Sequence, residues 1–153
     1  ELAKQRNLFK LFSNDCGLLA SQYAEGIQLK ILNADNTINY GAIFENTVAQ
    51  ELKAHGFKLF YFNSKKQGEL DFVIKVDDEI TPIEVKSGKD YERHNALQNV
   101  ISNPEYNIKK AYVLCNDNLK VSGKITYLPI YMTMFIQNSL LSDYIYKVDL
   151  KGM

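Results

Sequence analysis

The sequence predicts a single α/β domain. Three observations carry that expectation. The chain has 153 residues, 46% of them hydrophobic and 24% charged, enough for one core and ordinary for a globular protein. Segments with the two-residue alternation of strands are interleaved with segments whose apolar residues recur at helical spacing. Gly, Asn, Asp and Pro punctuate the junctions.

The elements follow in order. Residues 7–13, Asn-Leu-Phe-Lys-Leu-Phe-Ser, have short-strand character, and Asn14 to Gly17 reads as a turn. Leu18 to Tyr23 suits a short helix that ends near Gly26, and 33–40 is polar enough for a loop. From Gly41 to His55 the spacing is helical. Phe44, Val48 and Leu52 form one stripe, Glu45 falls inside it, and Asn46, Gln50 and Lys53 lie on the far side. Gly56 stops this helix, Phe57 to Phe62 reads as a strand, and 63–68 is a polar loop. Strands are expected at 69–76 and 80–86, a helix at 90–102, and strands at 111–115 and 124–129. Residues 130–141 read as a closing helix or irregular segment, and the last dozen are ambiguous.

Composition narrows the function classes. No stretch approaches the roughly 20 apolar residues of a membrane span, and no signal peptide is evident. Cys16 and Cys115 are isolated in sequence and read as buried reduced thiols, so the cytoplasm is the expected compartment. The chain opens without Met and reads as a piece of a longer protein. Net charge is zero, which argues against tight autonomous DNA binding, since phosphate contacts supply much of that affinity.

One stretch carries chemistry: Glu69-Leu70-Asp71-Phe72-Val73, followed by Pro82-Ile83-Glu84-Val85-Lys86. A two-residue Asp77-Asp78 turn would pair Val76 with Glu79. Asp71 would then face Glu84, Glu69 would face Lys86, and Leu70, Phe72, Ile83 and Val85 would share the opposite, apolar face. Directly opposed residues have Cβ atoms about 4.5–5.5 Å apart, and carboxylates that close repel unless a cation lies between them. Mg²⁺ or Mn²⁺ answers that need. Glu45, a carboxylate on an apolar stripe, would be costly without a partner and is expected to aim at the same place. Asp71, Glu84 and Glu45 are therefore candidate metal ligands. Lys86 would orient a water or stabilise developing charge in phosphodiester hydrolysis. The bland alternative is a solvated strand face with a Glu69–Lys86 ion pair. Lys65, Lys66, Lys89 and Arg93 flank the stretch as candidate phosphate contacts or ordinary solvated charges, and Gln98 could reach it from the following helix.

These residues resemble the PD-(D/E)XK superfamily of restriction-endonuclease-like and resolvase-like domains. More narrowly, the chain resembles the domain of unknown function that follows the P-loop module in many prokaryotic AAA-type ATPases. The matching pieces are Asp15 to Ala20, Gly41 to Asn46, Gly68 to Val73, Pro82 to Gly88 and Leu128 to Tyr131. The resemblance implies a restriction-endonuclease-like mixed central sheet flanked by helices, with Glu45, Asp71, Glu84 and Lys86 at the superfamily's site positions. It implies residues 1–40 leading in from an ATPase module, a nuclease-like domain at 41–136 and a tail at 137–153. That module, a covalent partner, carries any ATP site; no P-loop motif occurs here. The expected function is metal-dependent cleavage of DNA. The alternatives are a non-catalytic nucleic-acid- or protein-binding module attached to the ATPase, and an oligomerisation domain.

Overall fold

The computed structural model describes residues 9–35 and 37–139. Two short helices, α1 (Cys16–Ser21) and α2 (Glu25–Leu32), lead to the longer α3 (Gly41–Ala54). Strands β1 (Phe60–Ser64), β2 (Gly68–Val76) and β3 (Glu79–Val85) follow, then α4 (Asn95–Ser102), β4 (Ala111–Cys115), β5 (Lys120–Ser122) and β6 (Ile125–Pro129). A 3₁₀ turn at Ile130–Phe135 comes after β6. No helix among the described residues is long and apolar enough to cross a membrane.

The six strands form one mixed sheet in the order β1-β2-β3-β4-β6-β5. The first three are antiparallel, β3, β4 and β6 are parallel, and β5 returns antiparallel on the far edge. The parallel β3–β4 pair needs a crossover, which α4 provides. One sheet face carries Phe72, Ile74, Ile83, Val85, Tyr112, Leu114 and Leu128 against Val48, Ala49 and Leu52 of α3. The other carries Val73, Val113, Ile125 and Tyr127 against Leu97 and Val100 of α4. A sheet between helical layers follows from a central strand, β4, that is buried along its whole length.

The β2–β3 turn is the two-residue Asp77-Asp78 turn, with φ of 48° and 67°. Positive φ at both central residues matches the twist of a tight hairpin. Its register pairs Val76 with Glu79 and Phe72 with Ile83, as the spacing predicts. The ladder stops there. Against β1, the partners run from Phe60↔Val73 to Phe62↔Leu70. β2 therefore spends three steps where β1 spends two, which is a β-bulge. The bulge inverts the alternation, so Leu70 joins Val73 on the α4 face while Phe72 stays on the α3 face. The expected apolar set of Leu70, Phe72, Ile83 and Val85 is corrected accordingly.

Other departures are local. Residues 9–13 form no strand, and Gly26 lies inside α2 rather than ending a helix. The first strand begins at Phe60, leaving Phe57 as a buried loop residue. β5 has three exposed residues, too few for a pattern to register. Cys16 is partly exposed rather than buried; Cys115 is buried, and neither is in a disulfide. Residues 140–153, most of the expected tail, lie outside the described residues.

The hairpin between β1 and β2 rests on a close contact. Gly68 has φ of +96°, and a Cβ there would lie 2.8 Å from Ala96 Cβ at the start of α4. Gly68→Ala should lower stability by about 1–3 kcal/mol in urea denaturation, from strained backbone and overpacking together. Gly88→Ala, with nothing within 4 Å of the new Cβ, should cost about 0.5 kcal/mol or less.

Candidate functional site

The candidate residues gather where β2 begins and β3 ends. Antiparallel pairing places the start of β2 beside the end of β3, and the β2–β3 ladder ends at Phe72↔Ile83. The backbone N–H of Lys86 donates to Leu114 O on β4 at 2.8 Å. Alternate amides of a strand point to opposite neighbours, so the N–H of Val85 points toward β2. Its acceptor is the Asp71 carboxylate, Oδ2, at 2.9 Å. Asp71 thus replaces a lost ladder acceptor and lies between the strands. Glu84, flanked by Ile83 and Val85 of the α3-side core, projects to the α4 side. Asp71 and Glu84 are not a registered pair of opposed neighbours, as the spacing predicts, because the ladder ends at Phe72↔Ile83. The Asp71 charge still reaches Glu84.

Glu45 arrives from the other layer. It is half-buried on α3, one helical turn from Val48 and Ala49. The helix is held in place partly by Asn46, which was expected on the polar side but is buried. Asn46 Oδ1 accepts from Ser13 N at 2.7 Å and its Nδ2 donates to Ser13 O at 3.2 Å. That paired bond anchors the segment preceding α1 to α3. A helical wheel assigns Asn46 to solvent because it carries no information about this strap.

The strap brings a residue that the sequence did not single out. Lys10 Nζ lies 3.4 Å from Glu45, 3.1 Å from Glu69 and 3.1 Å from Asp71. Phe12, two positions on, packs on Phe72 with ring centroids 5.4 Å apart and so anchors the strap beside the cluster. Burial by itself would lower the Lys10 pKa, but Asp71, Glu69 and Glu45 outweigh it and hold the ammonium above its usual value. The Glu69–Lys86 pair of the bland reading does not form. Glu69 binds Lys10, and Lys86 Nζ donates to Glu84 Oε1 at 2.7 Å. The Lys10 signal is hard to read in sequence, because one lysine between Phe9 and Leu11 is unexceptional.

Electrostatics single out the two glutamates. Burial pushes the Glu84 carboxyl up, with Asp71 adding to the effect and the Lys86 hydrogen bond opposing it. Burial also raises Glu45, helped by Asp71 and opposed by Lys10. Glu84 Oε2 is buried without a hydrogen-bond partner among the described residues. Among those residues, no group of three or more His, Cys, Asp or Glu forms a ready cage for a metal ion.

The outlying candidates sit at the same end of the sheet but apart from the carboxylates. Lys65 and Lys66 occupy the exposed β1–β2 turn, Lys89 and Arg93 the exposed loop before α4, and Gln98 is exposed on α4. Arg93 lies 4.0 Å from Asp90. Beyond the C-terminal ends of β3 and β4 is an open pocket of about 550 Å³ lined by Ser87, Gly88, Lys89, Tyr91, Asn116 and Asp117.

The raised Glu84 pKa has a signed consequence. A carboxyl that holds its proton more tightly when folded loses stability as pH climbs from its usual value of 4.5 through the higher folded value. Glu84→Gln removes that titration. The stability of Glu84→Gln relative to wild type should therefore rise between about pH 4 and pH 7. Urea titrations at several pH values check this, and a difference that is flat or falls with pH would refute the direction.

No curated protein and no solved structure matches the chain. One family model does, covering residues 40–133. That span runs from the start of α3 to the turn after β6 and includes Glu45, Asp71, Glu84 and Lys86; Lys10 lies outside it. The chain belongs to the family described as a domain of unknown function, DUF4143.

Proposed function

We propose that this end of the sheet is a metal-dependent phosphodiesterase site acting on DNA, on a restriction-endonuclease-like core that works with a covalently attached P-loop ATPase module. The observation that carries the reading is Glu84, a buried carboxylate with one oxygen on Lys86 and the other unpartnered. Burying such a group is costly, and a bound cation would offset that cost.

The donors fit Mg²⁺ or Mn²⁺. All are hard carboxylate oxygens, and Mg²⁺ is usually held by one or two carboxylates, completing its shell with water and phosphate oxygens. Asp71 and Glu84 would hold the ion directly, with Glu45 acting through water. When bound, the metal supplies phosphate polarisation and a more acidic water. The remaining work falls to the chain itself. Asp71, tied to the Val85 amide, has its orientation fixed by the sheet. Lys86, held by Glu84, orients the attacking water or offsets charge developing on the phosphate. Lys65, Lys66, Lys89 and Arg93 bring positive charge to the strand's path, and the pocket at Tyr91 gives room for a nucleotide.

A second reading is a non-catalytic binding module. It is favoured by Lys10, because the carboxylates Glu45, Glu69 and Asp71 already have a cation among them.

Incubation with duplex, branched and single-stranded DNA and with RNA, in Mg²⁺ or Mn²⁺, separates the two. The nuclease reading expects metal-dependent cleavage that falls about 100-fold or more in Lys86→Ala and in Glu84→Gln. Equal cleavage by these variants would remove the assignment, and no cleavage of any substrate would favour the binding module. Because net charge is zero, DNA affinity of this chain alone should be weak and drop roughly tenfold or more between 50 and 200 mM salt. Fluorescence anisotropy checks this, and salt-independent binding would contradict it.

A further inference from the structure

We propose that Lys10 is a tethered counter-ion of the carboxylate site, holding the position of a divalent cation and leaving it when that cation binds. The inference rests on the metal-site reading above and adds a regulatory element to it.

Three carboxylates from two elements, Glu45 on α3 and Glu69 and Asp71 on β2, converge within 3.4 Å of one ammonium. Without that charge the three would repel one another at a partly desolvated place. Lys10 thus does electrostatically what a divalent ion would do. It does so incompletely, since it brings one charge to three carboxylates and Glu84 Oε2 remains without a partner among the described residues. A divalent ion held by Asp71 and Glu84 would meet that need, but it would bring two positive charges near the Lys10 ammonium. Lys10 and the ion share Asp71 as a partner, so each weakens the hold of the other.

The strap is built to let Lys10 go. Residues 9–13 belong to no helix or strand. Phe9 and Leu11 are 73% and 85% exposed, so the strap's burial on either side of Lys10 is slight. Its anchors are downstream, at Phe12 on Phe72 and Ser13 on Asn46. Lys10 can withdraw while those anchors hold, because a long flexible stem separates its ammonium from the backbone.

The test is Mn²⁺ binding by calorimetry to wild type, Lys10→Met and Lys10→Arg, each checked for folding by circular dichroism. Lys10→Met keeps the stem and removes the charge, and should bind Mn²⁺ at least tenfold more tightly than wild type. Lys10→Arg should bind no more tightly than wild type. Equal binding by all three proteins overturns the counter-ion role and leaves the metal site standing. No binding by any folded variant overturns both. The Lys10 side-chain NMR resonances of wild type give a readout independent of the variants: added Mg²⁺ should move them toward those of a free lysine, and unchanged resonances overturn the displacement.

Discussion

The β2–β3 hairpin is the constraint from which the rest of the site follows. Its turn admits two residues at positive φ, so its register has no freedom between Val76↔Glu79 and Phe72↔Ile83. Slipping β3 by one residue against β2 would send Ile83 and Val85 away from α3 while Phe72 stayed. Where the register ends, the bulge in β2 takes over. It leaves the Val85 amide without a main-chain acceptor from β2, and the Asp71 carboxylate fills the vacancy. A structural repair and a chemically placed carboxylate are therefore one and the same contact. Bulges recur beside active sites because they re-aim a side chain without unfolding a strand.

Charge balance is the second constraint. The cluster contains the carboxylates Glu45, Glu69, Asp71 and Glu84 and the ammoniums Lys10 and Lys86. Each lysine is committed to named carboxylates, and the acids still outnumber the bases by two. Glu45 and Glu84 are both raised, chiefly by burial, with the Asp71 charge adding to the effect. The neutral sequence as a whole does not reveal this surplus, because the balance is local. The exposed Lys65, Lys66, Lys89 and Arg93 lie at the same end of the sheet, with Asp90 beside Arg93.

The hairpin register, the phase of α3 and the burial of β4 were legible because each is a local rule repeated over several residues. Helical spacing put Glu45 with Val48 and Leu52, and α3 does carry it toward the sheet. The same wheel put Asn46 in solvent, where it is not, because a strap from residue 13 covers it. Period-two alternation put Leu70 with Phe72, and a single extra residue in β2 separated them. In both cases the rule was sound and a contact with a distant segment overrode it.

The sequence by itself determined which residues alternate, which turn joins β2 to β3, and that Glu84 and Lys86 travel together on one strand. Those properties depend on neighbours within a few positions, so they are written in the order of the chain. Only the tertiary structure decided that Asp71 lies between strands, that Lys86 pairs with Glu84 instead of Glu69, and that Lys10 stands among three carboxylates. Lys10 and Asp71 are 61 positions apart. Nothing local encodes their meeting; it depends on Phe12 finding Phe72 and Ser13 finding Asn46, contacts that exist only once α3 and the sheet have packed.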